Sequence, residues 1–176
     1  MDSLLVPPSH FAMVEEGLYR GGYPETINYR LHLKCIVSML PDGEPQAIKH
    51  FCEENDIIHI HVDTEEYDVD CIPSKEEKNR VTSLLINSDL YPLFFFGSQS
   101  SKIASVYVML LRFVQRYHST YIFREFNKFD EKIDDDLKSI FDDLRITLPD
   151  HLPSWLPIDA INVQVLLPES FVCFKK

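Results

Sequence analysis

Tyr91-Pro92-Leu93-Phe94-Phe95-Phe96 runs directly into Gly97-Ser98-Gln99-Ser100-Ser101, and Lys102 then opens a long helical pattern. Six residues rich in aromatic side chains suit a strand buried on both faces. A Gly/Ser cluster breaks such a run. From Lys102 to Tyr117, Ile103, Val106, Tyr107, Leu110, Phe113, Val114 and Tyr117 recur at helical spacing and predict one wide apolar stripe. Strand, tight loop, helix is the unit from which parallel α/β sheets are built, and ligands bind such sheets at the carboxyl ends of their strands. The loop 97–102 is therefore the candidate site. Free N–H groups and the helix dipole favour an anion there, with Gly97 permitting a tight turn, Ser98, Ser100 and Ser101 adding hydroxyls, and Lys102 a positive charge. An ordinary strand-to-helix connection, with Ser100 or Ser101 as N-cap, explains the same residues. It is not a Walker loop, because G-x-x-x-x-G-K-[ST] is absent.

The same alternation extends outward. Residues 11–22 read as a hairpin or two extended pieces ending at Gly21-Gly22, and Thr26 can cap a short helix to Leu33. Cys35–Leu40 suits a buried strand stopped by Pro41-Asp42-Gly43. Pro45 opens a helix with Ala47, Ile48 and Phe51 on its apolar face, and Ile57–Val62 is the next strand. Pro73-Ser74 begins another helix, with Ser74 and Glu77 spaced as a capping box. Two more helices are expected near 119–129 and 131–144, then a proline-rich tail from Thr147 in which Trp155 is the expected anchor. The fold class is α/β, a central mostly parallel sheet flanked by helices. The expected organisation is one domain over 1–146 and a C-terminal extension, 147–176, packed on it.

Composition bounds the function. The 176 residues are 45% apolar and 26% charged, as in a globular chain rather than a disordered one. A net charge of −11 argues against nucleic acid and anionic membranes as partners. The N-terminus lacks the pattern of a secretory signal, and no apolar run is long enough to span a bilayer, so a soluble, cytoplasmic protein with reduced thiols is expected. Cys35, Cys52, Cys71 and Cys173 form no C-x-x-C pair and no Cys/His cluster, so no metal and no cofactor is expected. His59 and His61 alternate with isoleucines on one side of their strand and read as structural histidines. The eight acidic residues between Glu53 and Asp70 read as a solvated surface, since their spacing matches no calcium loop.

Several short motifs converge on one family. Pro7-Pro8, Phe11 to Val14, Tyr19-Arg20-Gly21, Pro24 and Asn28 appear in that order, followed by Phe51–Val62 (FCEENDIIHIHV) and the Tyr91-Pro92 strand. Over about residues 5–145 the chain resembles the plant and fungal atypical dual-specificity phosphatases, in particular the fungal oxidant-induced cell-cycle arrest group. The resemblance implies the cysteine-phosphatase fold. It also implies a loop reading H-C-x-x-x-x-x-R, in which a thiolate attacks phosphorus while backbone amides and the arginine hold the equatorial oxygens. Laid on this chain through Tyr91-Pro92, the motif puts its His at Phe96, its Cys at Gly97, its Arg at Ile103 and its closing Thr/Ser-Gly pair at Ala104-Ser105.

Glycine has no nucleophile and isoleucine cannot hold phosphate. No cysteine of the chain has an arginine six places downstream. The expected catalytic set is therefore empty, and Gly97, Ser98, Gln99, Ser100, Ser101, Lys102 and Ile103 form a degenerate phosphate loop. The segment where relatives carry the general acid would be represented by Asp68, Asp70 and Ser74 as a remnant. A loop serine would need an adjacent base, and none is evident in the sequence. The expectation is a catalytically inactive phosphatase-like protein that acts as a binding or scaffold subunit, with active phosphatase relatives as its partners. One alternative is a weak phosphatase for phosphotyrosine or inositol pyrophosphates. Another is a non-catalytic binder of phosphate or inositol polyphosphate.

Overall fold

The computed structural model describes residues 7–24, 31–41, 43–64, 72–98, 102–130 and 139–166. It is a mixed α/β fold with a central, mostly parallel sheet whose strands are joined through helices. The chain divides into two compact units: residues 1–69 with 90–104, and residues 70–89 with 105–176.

The first unit carries the sheet. Its strands are β1 (Ala12–Glu15), β2 (Leu18–Gly21), β3 (Cys35–Leu40), β4 (Ile58–Asp63) and β5 (Leu93–Phe96), in the order β1-β2-β5-β3-β4. Only β1 and β2 are antiparallel; β2–β5, β5–β3 and β3–β4 are parallel. The hairpin turns at Gly17, whose φ of +76° is open to glycine at little cost, and an added Cβ would meet the Tyr91 ring at 3.3 Å. Every residue of β3 and β5 is buried, as two continuous apolar runs require. The strand β5 starts at Leu93 rather than Tyr91, because Pro92 has no N–H for the ladder and serves as acceptor for Lys34 N at 2.8 Å.

Helix α1 (Gln46–Glu54) turns Ile48, Phe51 and Cys52 onto a core with Ile36, Leu40, Phe94 and Phe96. Ala47, expected on that face, is exposed; Cys52 completes the i, i+3, i+4 set instead. The short helix expected from Thr26 falls mostly outside the described residues, and it does not reach Leu33.

The second unit is built on α2 (Lys75–Leu85), most of α3 (Ile103–Val114), α4 (Ser119–Phe126) and a small parallel pair, β6 (Arg145–Thr147) and β7 (Gln164–Leu166). Ser74 caps α2 through both arms of a capping box. Along α2, Lys78 Nζ donates to the carbonyls of Ile140 (3.0 Å) and Asp142, Asn79 Oδ1 accepts from Arg145 N (2.7 Å) and Ser83 Oγ accepts from Thr147 N (2.8 Å). These side chains fix β6 along the helix.

Helix α3 is buried almost all round rather than along one stripe. Two of its buried polar side chains, Ser105 and Arg112, reach carboxylates. Ser105 donates to the Asp130 carboxylate, and Arg112 grips Glu125 through Nε (2.7 Å) and a terminal nitrogen (3.1 Å). The helix ends before Tyr117 because Arg116 adopts φ +64°. Tyr117 N then bonds to Arg112 O and Arg116 N to Phe113 O, each at 3.0 Å, the paired bonds of a Schellman ending. Tyr117 is exposed, its ring lying 5.3 Å from the Arg112 guanidinium.

Of the helix expected over 131–144, residues 131–138 lie outside the described residues and 139–141 form a single 3-10 turn. Its Phe141 ring stacks on Phe113 at 4.6 Å. In the tail, Leu156 and Pro153 are buried while Trp155 is only partly so, and the Ser88 backbone N–H and hydroxyl both donate to His151 O.

Candidate functional site

The strand β5 ends in Phe96, not in a polar residue. The Phe96 ring stacks on Phe94 and meets Tyr23 edge-on, each at 5.6 Å between centroids, so it belongs to the core beneath the loop. Gly97 is buried and Ser98 partly exposed. Gln99, Ser100 and Ser101 lie outside the described residues. Lys102 is partly exposed, and Ile103, the first residue of α3, has no exposed surface.

Gly97 and Ile103 are therefore both buried, Gly97 offering only backbone and Ile103 only hydrocarbon. A twelve-residue helix still begins here, and its first N–H groups carry the partial positive charge of the dipole.

Ser74 is exposed at the start of α2. Its hydroxyl accepts from Glu77 N at 3.3 Å, and its own N–H donates to Glu77 Oε2 at 2.8 Å, so it is committed to capping. Asp68 and Asp70 lie outside the described residues.

Neither described cysteine stands at the loop. Cys35 begins β3 and Cys52 lies on α1; both are free and buried. Burial pushes the Cys35 thiol up to about 12, with Cys52 adding to the shift, and pushes Cys52 up to about 11, with Glu53 adding to it. Thiols held that high carry almost no thiolate near neutrality. Cys71 and Cys173 lie outside the described residues.

The polar cluster on this sheet face was only half visible in the sequence. His59 and His61 share a face, as the alternation predicts, and Ser38 of β3 joins them. Its Oγ lies 2.9 Å from His59 Nε2 and 2.9 Å from His61 Nδ1. Glu44 and Asp63 stand at the two ends of this chain, 3.4 Å from His59 Nδ1 and 2.9 Å from His61 Nε2. Ser38 leaves no signal in the sequence because it sits inside an apolar strand, 21 residues before the first histidine. Among the described residues, no three His, Cys, Asp or Glu side chains gather in a way that could hold a metal ion.

A family model described as "Tyrosine phosphatase family" matches residues 5–152. The chain belongs to the tyrosine phosphatase family. A probable tyrosine-protein phosphatase of Dictyostelium discoideum, DG1060, is 31% identical over 161 residues, covering 86% of this chain and 96% of that protein. Inositol diphosphatase DSP4 of Arabidopsis thaliana is 27% identical over 131 residues, covering 72% of this chain and 66% of its own length. Among solved structures, the core catalytic domain of the PP-IP phosphatase SIW14 from S. cerevisiae, in complex with citrate, aligns with a TM-score of 0.69. It is 21% identical and covers 78% of this chain and 87% of that one, a likeness of fold. The cysteine-phosphatase architecture, with its mostly parallel central sheet, is thus that of this family member.

Proposed function

We propose that this tyrosine phosphatase family member is catalytically inactive and works as a binding or scaffold subunit. The observation that carries the reading is the pair Gly97 and Ile103, at the end of β5 and the start of α3. Family chemistry needs a thiolate at the first position and a planar bidentate cation at the second. Loss of either typically removes several kcal/mol of transition-state stabilisation, and such groups act as a unit. An architecture kept with its reacting groups gone leaves binding as the property for selection to retain.

Active phosphatase relatives are the proposed partners. Kinship with the oxidant-induced cell-cycle arrest group, and with its diverged sixth member through the Phe51–Asn55 string (FCEEN), is part of the same reading, as is a cytoplasmic location. Co-expression with an active relative, followed by size-exclusion chromatography with light scattering, tests it. Co-elution at fixed stoichiometry is the expected result; a free monomer beside a free relative would contradict it.

A second reading has its own support. A relative named as an inositol diphosphatase, together with the amides that open α3 and Lys102 beside them, favours a non-catalytic phosphate or inositol polyphosphate site. Calorimetric titration with inositol hexakisphosphate at low salt would detect such binding. A flat titration would remove this version and leave the scaffold role intact. The same relative also supports the weak-phosphatase alternative, which turnover assays decide.

A further inference from the structure

The Ser38 cluster has one proton too few to satisfy both of its ends. Its members run in a row: Glu44, His59, Ser38, His61, Asp63. Both carboxylates can only accept, and Ser38 has a single proton to give. If His61 donates from Nε2 to Asp63, its Nδ1 must accept from Ser38. Ser38 must then accept from His59 Nε2, which leaves His59 Nδ1 as a bare lone pair. If instead His59 donates from Nδ1 to Glu44, every bond reverses and His61 Nε2 is left bare against Asp63.

The distances select the first arrangement. His61 Nε2 and Asp63 Oδ1 are 2.9 Å apart, a hydrogen bond, whereas His59 Nδ1 and Glu44 Oε1 are 3.4 Å apart, two acceptors facing one another. The His59 side chain is only 6% exposed, and its Nδ1 has no hydrogen-bond partner among the described residues. Adding one proton at that atom satisfies all five groups at once without reversing any bond.

We propose that these five residues form a proton-operated latch, in which one added proton closes the Glu44–His59 contact and fastens the turn before α1 to β4. The turn joins β3 to α1 at the carboxyl end of β3, and Glu44 lies in it. The groups facing His59 are Glu44 from the turn, Lys49 from α1, Ser38 from β3 and His61 from its own strand. Lys49 holds the other Glu44 oxygen at 2.7 Å, so it competes with His59 for the carboxylate and limits closure at neutral pH. Burial, the largest effect, and the Lys49 ammonium hold back protonation while Glu44 promotes it. The latch therefore stands open at neutrality and closes on mild acidification. It does not depend on whether the loop 97–103 supports catalysis.

Histidine-ring nitrogen NMR on the full chain tests this. At about pH 7.5 the His59 ring is expected as the Nε2–H tautomer, and on acidification it is expected to become imidazolium. Glu44→Gln should move the His59 midpoint down, and Lys49→Met, which removes the competing cation, should move it up. Both changes lie in or next to a surface turn, where folding tolerates substitution. The Gly43 and Glu44 amides should gain protection against exchange as His59 takes up its proton, after correction for intrinsic rates, and Glu44→Gln should abolish the gain. Any of three results would overturn the proposal: an Nδ1–H tautomer of His59 at neutrality, a His59 that stays neutral until the protein unfolds in acid, or a midpoint indifferent to both variants.

Discussion

Cys35 stands beside Leu93 in the β3–β5 ladder, at the opposite end of β5 from Gly97. Four residues of strand, about 13 Å, separate Leu93 from the position where a nucleophile would act. The nearest sheet thiol is thus at the wrong end of the sheet as well as buried. In native protein at mildly alkaline pH, Cys35 and Cys52 should resist a thiol reagent and label only on denaturation, as peptide mass spectrometry would report. Rapid native labelling of Cys35 would contradict the burial that raises its pKa.

His59 ties stability to pH. Burial, the largest influence, holds its folded-state pKa below the ordinary 6.5, with Glu44 opposing. The folded chain therefore binds fewer protons here than the unfolded one, and stability rises with pH through this window. The contribution is complete above 6.5 and is lost as pH falls below it toward the folded value. His151 has the opposite sign: its hydrogen bond to Asp89 raises its pKa, so its contribution is complete below 6.5 and fades as pH rises through the folded value. Urea midpoints measured from neutrality down to about pH 5 should fall, and His59→Gln should flatten that fall. An identical slope in the variant would count against the buried neutral imidazole.

Lys78 is a structural cation. It is 6% exposed, and its ammonium caps the carbonyls of Ile140 and Asp142. Lys78→Met should leave those acceptors unanswered and cost about 2 kcal/mol in urea unfolding. Lys78→Arg should recover part of that. A neutral Lys78→Met would mean that the 139–147 segment holds its place without this contact.

Sequence patterning reached the architecture because the decisive segments are strongly biased. The apolar runs of β3 and β5, the Ser74–Glu77 box of α2 and the spacing of Ile48 and Phe51 each express a local rule that the tertiary structure obeys. It failed where neighbours decide. The strands β6 and β7 are three residues each, too short to carry a period. The spacing of α3 predicts one stripe, yet its remaining faces are also buried, with Ser105 and Arg112 reaching Asp130 and Glu125. Its end was overrun to Tyr117 because the left-handed residue is Arg116 rather than a glycine, which leaves no signal in the sequence. The link from Ser38 to both histidines needed three-dimensional register.

We propose that Gly97 and Ile103 leave the protein without a catalyst. Purified protein should be assayed for phosphate release from an aryl phosphate and from an inositol pyrophosphate, beside an active relative. Release is expected at the rate of buffer alone, unchanged by Ser98→Ala or Lys102→Met. Sustained turnover that either substitution abolishes would contradict it.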